Sequence, residues 1–410
     1  MPARAIRLER RCSATVPLME TDAVVVGAGP SGATTALLLA RLGHDVVLVD
    51  RARFPRDKAC GEGVMPPGVD ALRRMGLYER VLATGARPLR GVTYQLPGAR
   101  PRVNVPFPVP PGGGPAHGLG VRRTTFDAVL VEAVRDEPRA TVREGERVTG
   151  LLRNASATVT GVTTTAGEIQ GRIVVAADGL HSPIRAWSGL SVPPRARMRY
   201  GLAGHWRVET SARDAINVTL AGSREWYEAP VGPDLLLVSI LSYRTRHPVT
   251  AREYAAAARR SVPALRGAEL VSGPLGAAHF HQRVRTVAEG GLFLVGDASG
   301  YDDPTTGDGI AIGMLLAERL AKHASDFLSG RISAEVAAAG YARDHAQLVR
   351  ERRRLTQLAL FLARSPSLSR RAIRTATRNP AALGKLVAIN CGYQSFRDLT
   401  PRDWLSLAGI

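Results

Sequence analysis

Apolar positions along this chain fall into short continuous runs separated by longer stretches of helical character. The first such group is the clearest: Asp22 to Val26 is apolar up to a glycine, Ser31 to Leu42 is rich in Ala and Leu, and Asp45 to Val49 is a second apolar run ending on Asp50. Glycine-bounded runs of about four to eight apolar residues read as buried strands and the longer segment as a helix, so the order is strand, helix, strand. Similar runs recur at Arg172 to Ala177 and at Gly291 to Val295, the second leading into a helix from Ala311 onward. Between them lie candidate strands Tyr200 to Val208, Ile216 to Ala221 and Leu235 to Leu241, with a helix predicted over Ala251 to Arg260. Pro97 to Pro115 reads as a loop and not a strand, and Arg-rich helices are expected after Ile332.

The turn closing the first strand is Gly27-Ala28-Gly29-Pro30-Ser31-Gly32. In a dinucleotide-binding unit the first glycine allows the tight turn, the second lets backbone approach a pyrophosphate, and the third permits close packing of helix on strand. Free N–H groups and the dipole at the helix N-terminus then favour phosphate. Asp50 falls where an acid accepts the hydroxyls of the adenosine ribose, with Arg51 beside it. This turn leaves FAD and NAD both open.

Two later aspartate turns favour FAD. Asp178-Gly179 is followed by Ser182 and Arg185, and Gly296-Asp297 by Pro304, Gly307, Gly309 and Ile310 at the start of a helix. A nicotinamide dehydrogenase has no need of this second aspartate-bearing turn. Asp297 is expected to accept a hydrogen bond from a ribityl hydroxyl, while the helix N-terminus at Gly309 favours the negative charge of the reduced flavin.

At these residues the chain resembles the para-hydroxybenzoate hydroxylase-like flavoprotein superfamily, and specifically its geranylgeranyl reductase branch. The resemblance spans about Asp22 to Leu328 and includes Lys58-Ala59-Cys60-Gly61-Glu62-Gly63, Arg123-Thr124-Thr125-Phe126-Asp127, and Gly300 where aromatic hydroxylases more often carry histidine. It implies that Arg123 contacts FAD near phosphate and ribose, and that Cys60 to Gly63 lie near the isoalloxazine. The implied fold is α/β: a Rossmann-like FAD-binding domain split over 19–90, 116–190 and 284–330. An antiparallel-sheet substrate domain (91–115 and 191–283) is inserted, and a helical cap covers 331–410.

Composition narrows the setting. The three cysteines show neither CxxC nor Cys/His spacing, so no disulfide framework or metal site is expected, and a reducing, cytoplasmic setting follows. Residues 1–18 have arginines but no continuous apolar core, arguing against a secretory signal; Met19 is an alternative start and this leader is expected to be disordered. The net charge of +19 is regional, with ten arginines and two acids between Gly340 and Pro380. Solvated helix faces explain most of it, with peripheral association with an anionic membrane as the functional reading, and nucleic acid is not expected as a partner.

The expected activity is that of an FAD-dependent monooxygenase using NAD(P)H as a transient donor and O2. Its expected substrate is an apolar or aromatic small molecule, such as a prenylated or polyketide-like specialised metabolite. The alternative is an isoprenoid double-bond reductase. The prenyl reductases' Tyr-x-Trp-x-Phe-Pro-x-Gly segment corresponds here to Glu225-Trp226-Tyr227-Glu228-Ala229-Pro230-Val231-Gly232, retaining only the Pro-x-Gly end and displaced aromatics. Catalytic candidates are Cys60, Tyr227, Glu228 and His279, the last sharing a face with His281 if that stretch is extended.

Overall fold

The computed structural model describes residues 19–98, 100–193, 199–243, 248–363 and 365–408, so the leader over 1–18 lies outside the described residues. Strand β1 (Met19–Val26), helix α1 (Pro30–Arg41) and strand β2 (Val46–Asp50) form the expected unit. β1 pairs in parallel with β2 on one side and with Gly167–Ala176 on the other. Ala140–Glu144 and Leu292–Leu294 extend the sheet in parallel on either side. Val24, Val25, Leu48 and Val49 are wholly buried because the sheet is covered on both faces, which explains why these strands read as continuous apolar runs. Helix α2 (Gly309–Leu328) packs on α1, and Leu37, Phe126 and Met314 share one core.

The inserted seven-stranded sheet has the order Glu269–Ala278, β3 (Arg199–Arg207), Leu235–Tyr243, β4 (Arg224–Gly232), Ala215–Ala221, Gly91–Gln95, Arg102–Pro106. It is antiparallel except where Ala215–Ala221 meets Gly91–Gln95. One expectation is corrected: the proline-rich stretch contains a strand, Arg102–Pro106, paired with Gly91–Gln95. Pro106 sits at the end of the ladder opposite Gly91, and Val103 and Val105 alternate inward against the cap. The helix expected from Ala251 begins at Tyr254.

Among the described residues, four α-helices form the C-terminal cap: α3 (Ala334–Ala363), α4 (Pro366–Arg378), α5 (Pro380–Cys391) and α6 (Pro401–Ala408). α3 is pinned to the parallel sheet by the buried Tyr341 hydroxyl, which donates to the Leu294 carbonyl at 2.8 Å. α4 and α5 pack on Arg102–Pro106 and bury Ala376, Val387 and Cys391 against Val92, Val105 and Val218. The cap thereby roofs one face of the inserted sheet.

Candidate active site

A single cavity of about 1230 Å³ runs from the β1–α1 turn, past the inserted sheet, to the cap. It exceeds the roughly 300–1,000 Å³ typical of a site for one drug-sized molecule. Its lining includes Gly27, Gly29, Ser31, Asp50, Arg51, Cys60, Gly61, Arg123, Asp178, Asp297, Pro304, Gly307, Gly309 and Ile310. Of the expected cofactor residues, Gly32 and Gly296 lie behind this wall.

The three glycines of the turn differ in what a side chain would meet. Gly27 has φ +101°, and a Cβ there would fall 2.4 Å from the Ala177 carbonyl oxygen. At Gly32 a Cβ would stand 1.8 Å from the Gly27 oxygen, so this residue holds α1 against the turn. At Gly29 the nearest atoms are the Arg56 and Arg123 guanidinium nitrogens, 3.6 and 3.8 Å away. Here the backbone is bare toward the cavity and flanked by cations, a cradle suited to a pyrophosphate. Gly296 has another duty, since its Cβ would stand 2.3 Å from the Ser31 hydroxyl. The first and third signatures therefore touch.

Asp50 accepts the Ala28 and Ala52 amides at 2.7 and 2.8 Å, which fixes its carboxylate at the end of β2 with lone pairs left for ribose hydroxyls. Arg123 is buried and forks onto Asp127 at 2.7 and 2.6 Å, and Arg56 reaches the same carboxylate at 2.8 Å. Burial disfavours the Arg123 charge, but Asp127 outweighs it and the guanidinium is held firmly protonated. The Cys60 thiol accepts the Glu62 amide at 3.3 Å and bonds the Arg123 side chain. These contacts place Cys60 on the cavity wall between Glu62 and Arg123.

Glu62, part of the quoted Lys58 to Gly63 segment but given no role from sequence, joins the two sheets. Its carboxylate, 1% exposed, accepts the Arg123 amide at 2.8 Å and meets His205 Nε2 on β3 at 2.7 Å. His205 Nδ1 pairs in turn with Ser272 at 2.9 Å. The Glu62 backbone, with φ of +53°, aims this carboxylate inward. Lys58 lines the cavity and is exposed to it; the protein around it lowers its pKa and Asp297 opposes that.

Asp178 accepts the Ile184 amide at 3.2 Å through one oxygen, while the other is buried without a partner. Burial raises its pKa, opposed by the Ser182 hydroxyl. An orphaned acceptor on the wall, the bare Gly29 backbone and the uncapped N-terminus of α2 at Gly309 all fit a flavin dinucleotide. Arg185 ties two signatures together by donating to the Asp297 and Ala298 carbonyls at 3.3 and 3.1 Å.

On the inserted sheet the structure separates two residues that the sequence reading had paired. Along β4, Glu225, Tyr227 and Ala229 face the cavity, whereas Trp226 packs into the opposite core. Glu228 follows Trp226 to that side and pairs with Arg213 at 3.3 Å, so it does not face the cavity. The Tyr227 hydroxyl donates to Glu225 at 2.7 Å and lies 3.1 Å from the Thr305 carbonyl, and burial pushes its pKa well up. Arg199 binds Glu225 at 2.9 Å and also Asp303. Burial raises Asp303 to about 7 against the pull of Arg199. This polar cluster joins the sheet to the Pro304–Gly307 loop, and two of its members, Arg199 and Glu225, were given no role from sequence. A period-two count along β4 was the available signal.

His279 is exposed outside the cavity, with φ +57° ending the extended run, so His279 and His281 do not share a strand face. Phe280 between them is the residue that lines the cavity.

The sequence profile described as "FAD binding domain" matches residues 20–349. A menaquinone reductase of Mycobacterium tuberculosis is 32% identical over 199 residues, 47% of this chain and 45% of that protein. The chain thus spans less than half of that relative's length. A digeranylgeranylglycerophospholipid reductase of Methanothermobacter thermautotrophicus is 28% identical over 73% of this chain and 75% of the relative. A rifampicin monooxygenase of Rhodococcus hoagii is 26% identical over 72% and 61%. In three dimensions a flavoprotein/dehydrogenase of Cytophaga hutchinsonii superposes with a TM-score of 0.78 at 19% identity, covering 91% of this chain and 93% of that one.

Proposed function

We propose, from the premise that the chain belongs to the FAD binding domain family, that it is an FAD-dependent monooxygenase acting on an apolar small molecule. The observation that carries this is the continuity of the cavity. Its far arm is walled by aliphatic side chains such as Leu202, Ile240, Leu358, Leu383, Leu386 and Val387. The chemistry supplied by bound FAD is transfer of two electrons from NAD(P)H to dioxygen, so that one oxygen atom enters the substrate and the other leaves as water.

The chain's own residues hold and shield the reactants. Gly27, Gly29, Asp50, Arg123 and Asp297 would hold the dinucleotide, and the N-terminus of α2 would favour electron density on the flavin ring. The cap would shield the aliphatic arm from water. Tyr227, on the cavity wall, holds a proton directed at Glu225.

A second reading, reduction of an isoprenoid double bond, is favoured by the two reductases among the relatives and by the same Tyr227 hydroxyl as proton donor. Holoprotein is incubated with NADPH and either menaquinone or a prenylated phenol under ¹⁸O₂. Label in the product is expected; saturation of the probe under anaerobic conditions overturns oxygenation in favour of reduction.

A further inference from the structure

Helix α4 is a wall of the cavity on one side and a row of cations on the other. Ser369, Ala372, Ile373 and Ala376 line the cavity, whereas Arg370, Arg371, Arg374 and Arg378 are exposed, and the helix has no acid. At about 100° per residue these four arginines occupy a ~100° arc opposite the buried stripe. Packing explains the inner stripe, and the outer one is uniformly basic.

Beside this row the cap exposes large apolar side chains. Phe361 at the end of α3 is 54% exposed, and Trp404 and Leu405 on α6 are 44% and 50% exposed. Their immediate neighbours, Leu362, Ser406 and Leu407, line the cavity. α6 packs against α4, and the Trp404 ring stacks on Phe396 with centroids 6.0 Å apart. The exposed apolar groups therefore rim the aliphatic arm of the cavity and the arginines flank the rim.

We propose that this face, the outer side of α4 with Phe361, Trp404 and Leu405, docks on an anionic lipid bilayer and presents the aliphatic arm of the cavity to it. The partner follows from charge and shape together. Lone cations would suit any polyanion, but apolar side chains at the same rim find a favourable partner in acyl chains, and tryptophan suits the headgroup level. No helix among the described residues is long and apolar enough to cross a membrane, so the contact is peripheral. The inference rests on the reading of an apolar substrate only for what passes through the rim.

Holoprotein is sedimented with vesicles of 30% phosphatidylglycerol in phosphatidylcholine and with pure phosphatidylcholine, at low and high salt. Binding to the anionic vesicles alone, weakened by salt, is expected. Each arginine near an anionic surface contributes about fivefold in partition, so R370Q/R374Q/R378Q is expected to bind roughly a hundredfold more weakly with unchanged flavin content. Bilayer-embedded brominated lipid is expected to quench the wild-type tryptophan emission, and Trp404→Phe to lose that increment. Equal vesicle binding by the triple variant, or vesicle binding with no quenching assignable to Trp404, overturns the proposal. So does binding to a DNA duplex in the absence of any to vesicles. Docking is read on vesicles and oxygenation by isotope, so either can fail without the other.

Discussion

Gly29 and Gly32 lie three residues apart in one turn, yet alanine at each is expected to fail in a different way. At Gly32 the new Cβ would stand 1.8 Å from the Gly27 carbonyl oxygen and 2.9 Å from the Ala177 Cβ, and α1 must move out by more than about 1 Å to relieve this. Overpacking costs about 1–3 kcal/mol, and a backbone carbonyl as the obstacle puts Gly32→Ala near the upper end. At ~2.1 cal/mol/K of unfolding entropy per residue, that lowers the Tm of the FAD-free protein by roughly 4 °C. At Gly29 the Cβ meets nothing closer than 3.6 Å, so the FAD-free Tm is expected to be unchanged. The methyl group would instead hold the pyrophosphate off the backbone. Losing one charge-assisted hydrogen bond, about 1.5–3 kcal/mol, weakens FAD binding roughly 10- to 150-fold. Thermal unfolding of the FAD-free protein and fluorescence titration with FAD read the two effects separately. Wild-type FAD affinity in Gly29→Ala would refute the placement of the pyrophosphate, and an unchanged Tm in Gly32→Ala would refute the packing role.

Removing the Glu62 carboxylate leaves the Arg123 amide and His205 without their buried partner. Glu62→Ala is therefore expected to lower stability by about 2–4 kcal/mol in urea unfolding, and additivity with His205→Ala in a double-mutant cycle would disprove the coupling. Tyr227→Phe is expected to lower kcat at least tenfold while Glu228→Gln stays within about twofold, because only the first faces the cavity; steady-state turnover showing the reverse order would move the site to the other sheet face. Asp303, raised to about 7 by burial, binds a proton in the folded protein that the unfolded chain releases near its ordinary value of 3.8. The stability this contributes is complete below about pH 4 and is lost as the pH rises toward 7. Chemical unfolding of Asp303→Asn is expected to show a flatter pH profile across that window, and a profile parallel to wild type would contradict the assignment.

The glycine turns and the parallel strands were legible in the sequence because their constraints are local. Gly27, Gly29 and Gly32 answer to one turn, Asp50 to the end of one strand, and continuous apolar runs to a sheet covered on both faces. The strand Arg102–Pro106 was hidden because its flanking prolines read as loop signals, and only pairing with Gly91–Gln95 and packing under the cap reveal it. The substrate half depends on contacts between residues distant in sequence. Glu62 meets His205 across 143 positions, and Arg199 gathers Glu225 and Asp303 from a strand and a distant loop. No local pattern marks such meetings. Even the choice between Tyr227 and Glu228, adjacent in sequence, was made by which face of β4 the sheet turns toward the cavity. The sequence determined the tight glycine turn and the acid at the end of β2, since backbone geometry and short-range packing encode them; tertiary structure alone decided what lines the rest of the cavity, since burial and charge pairing there exist only once sheet and cap have met.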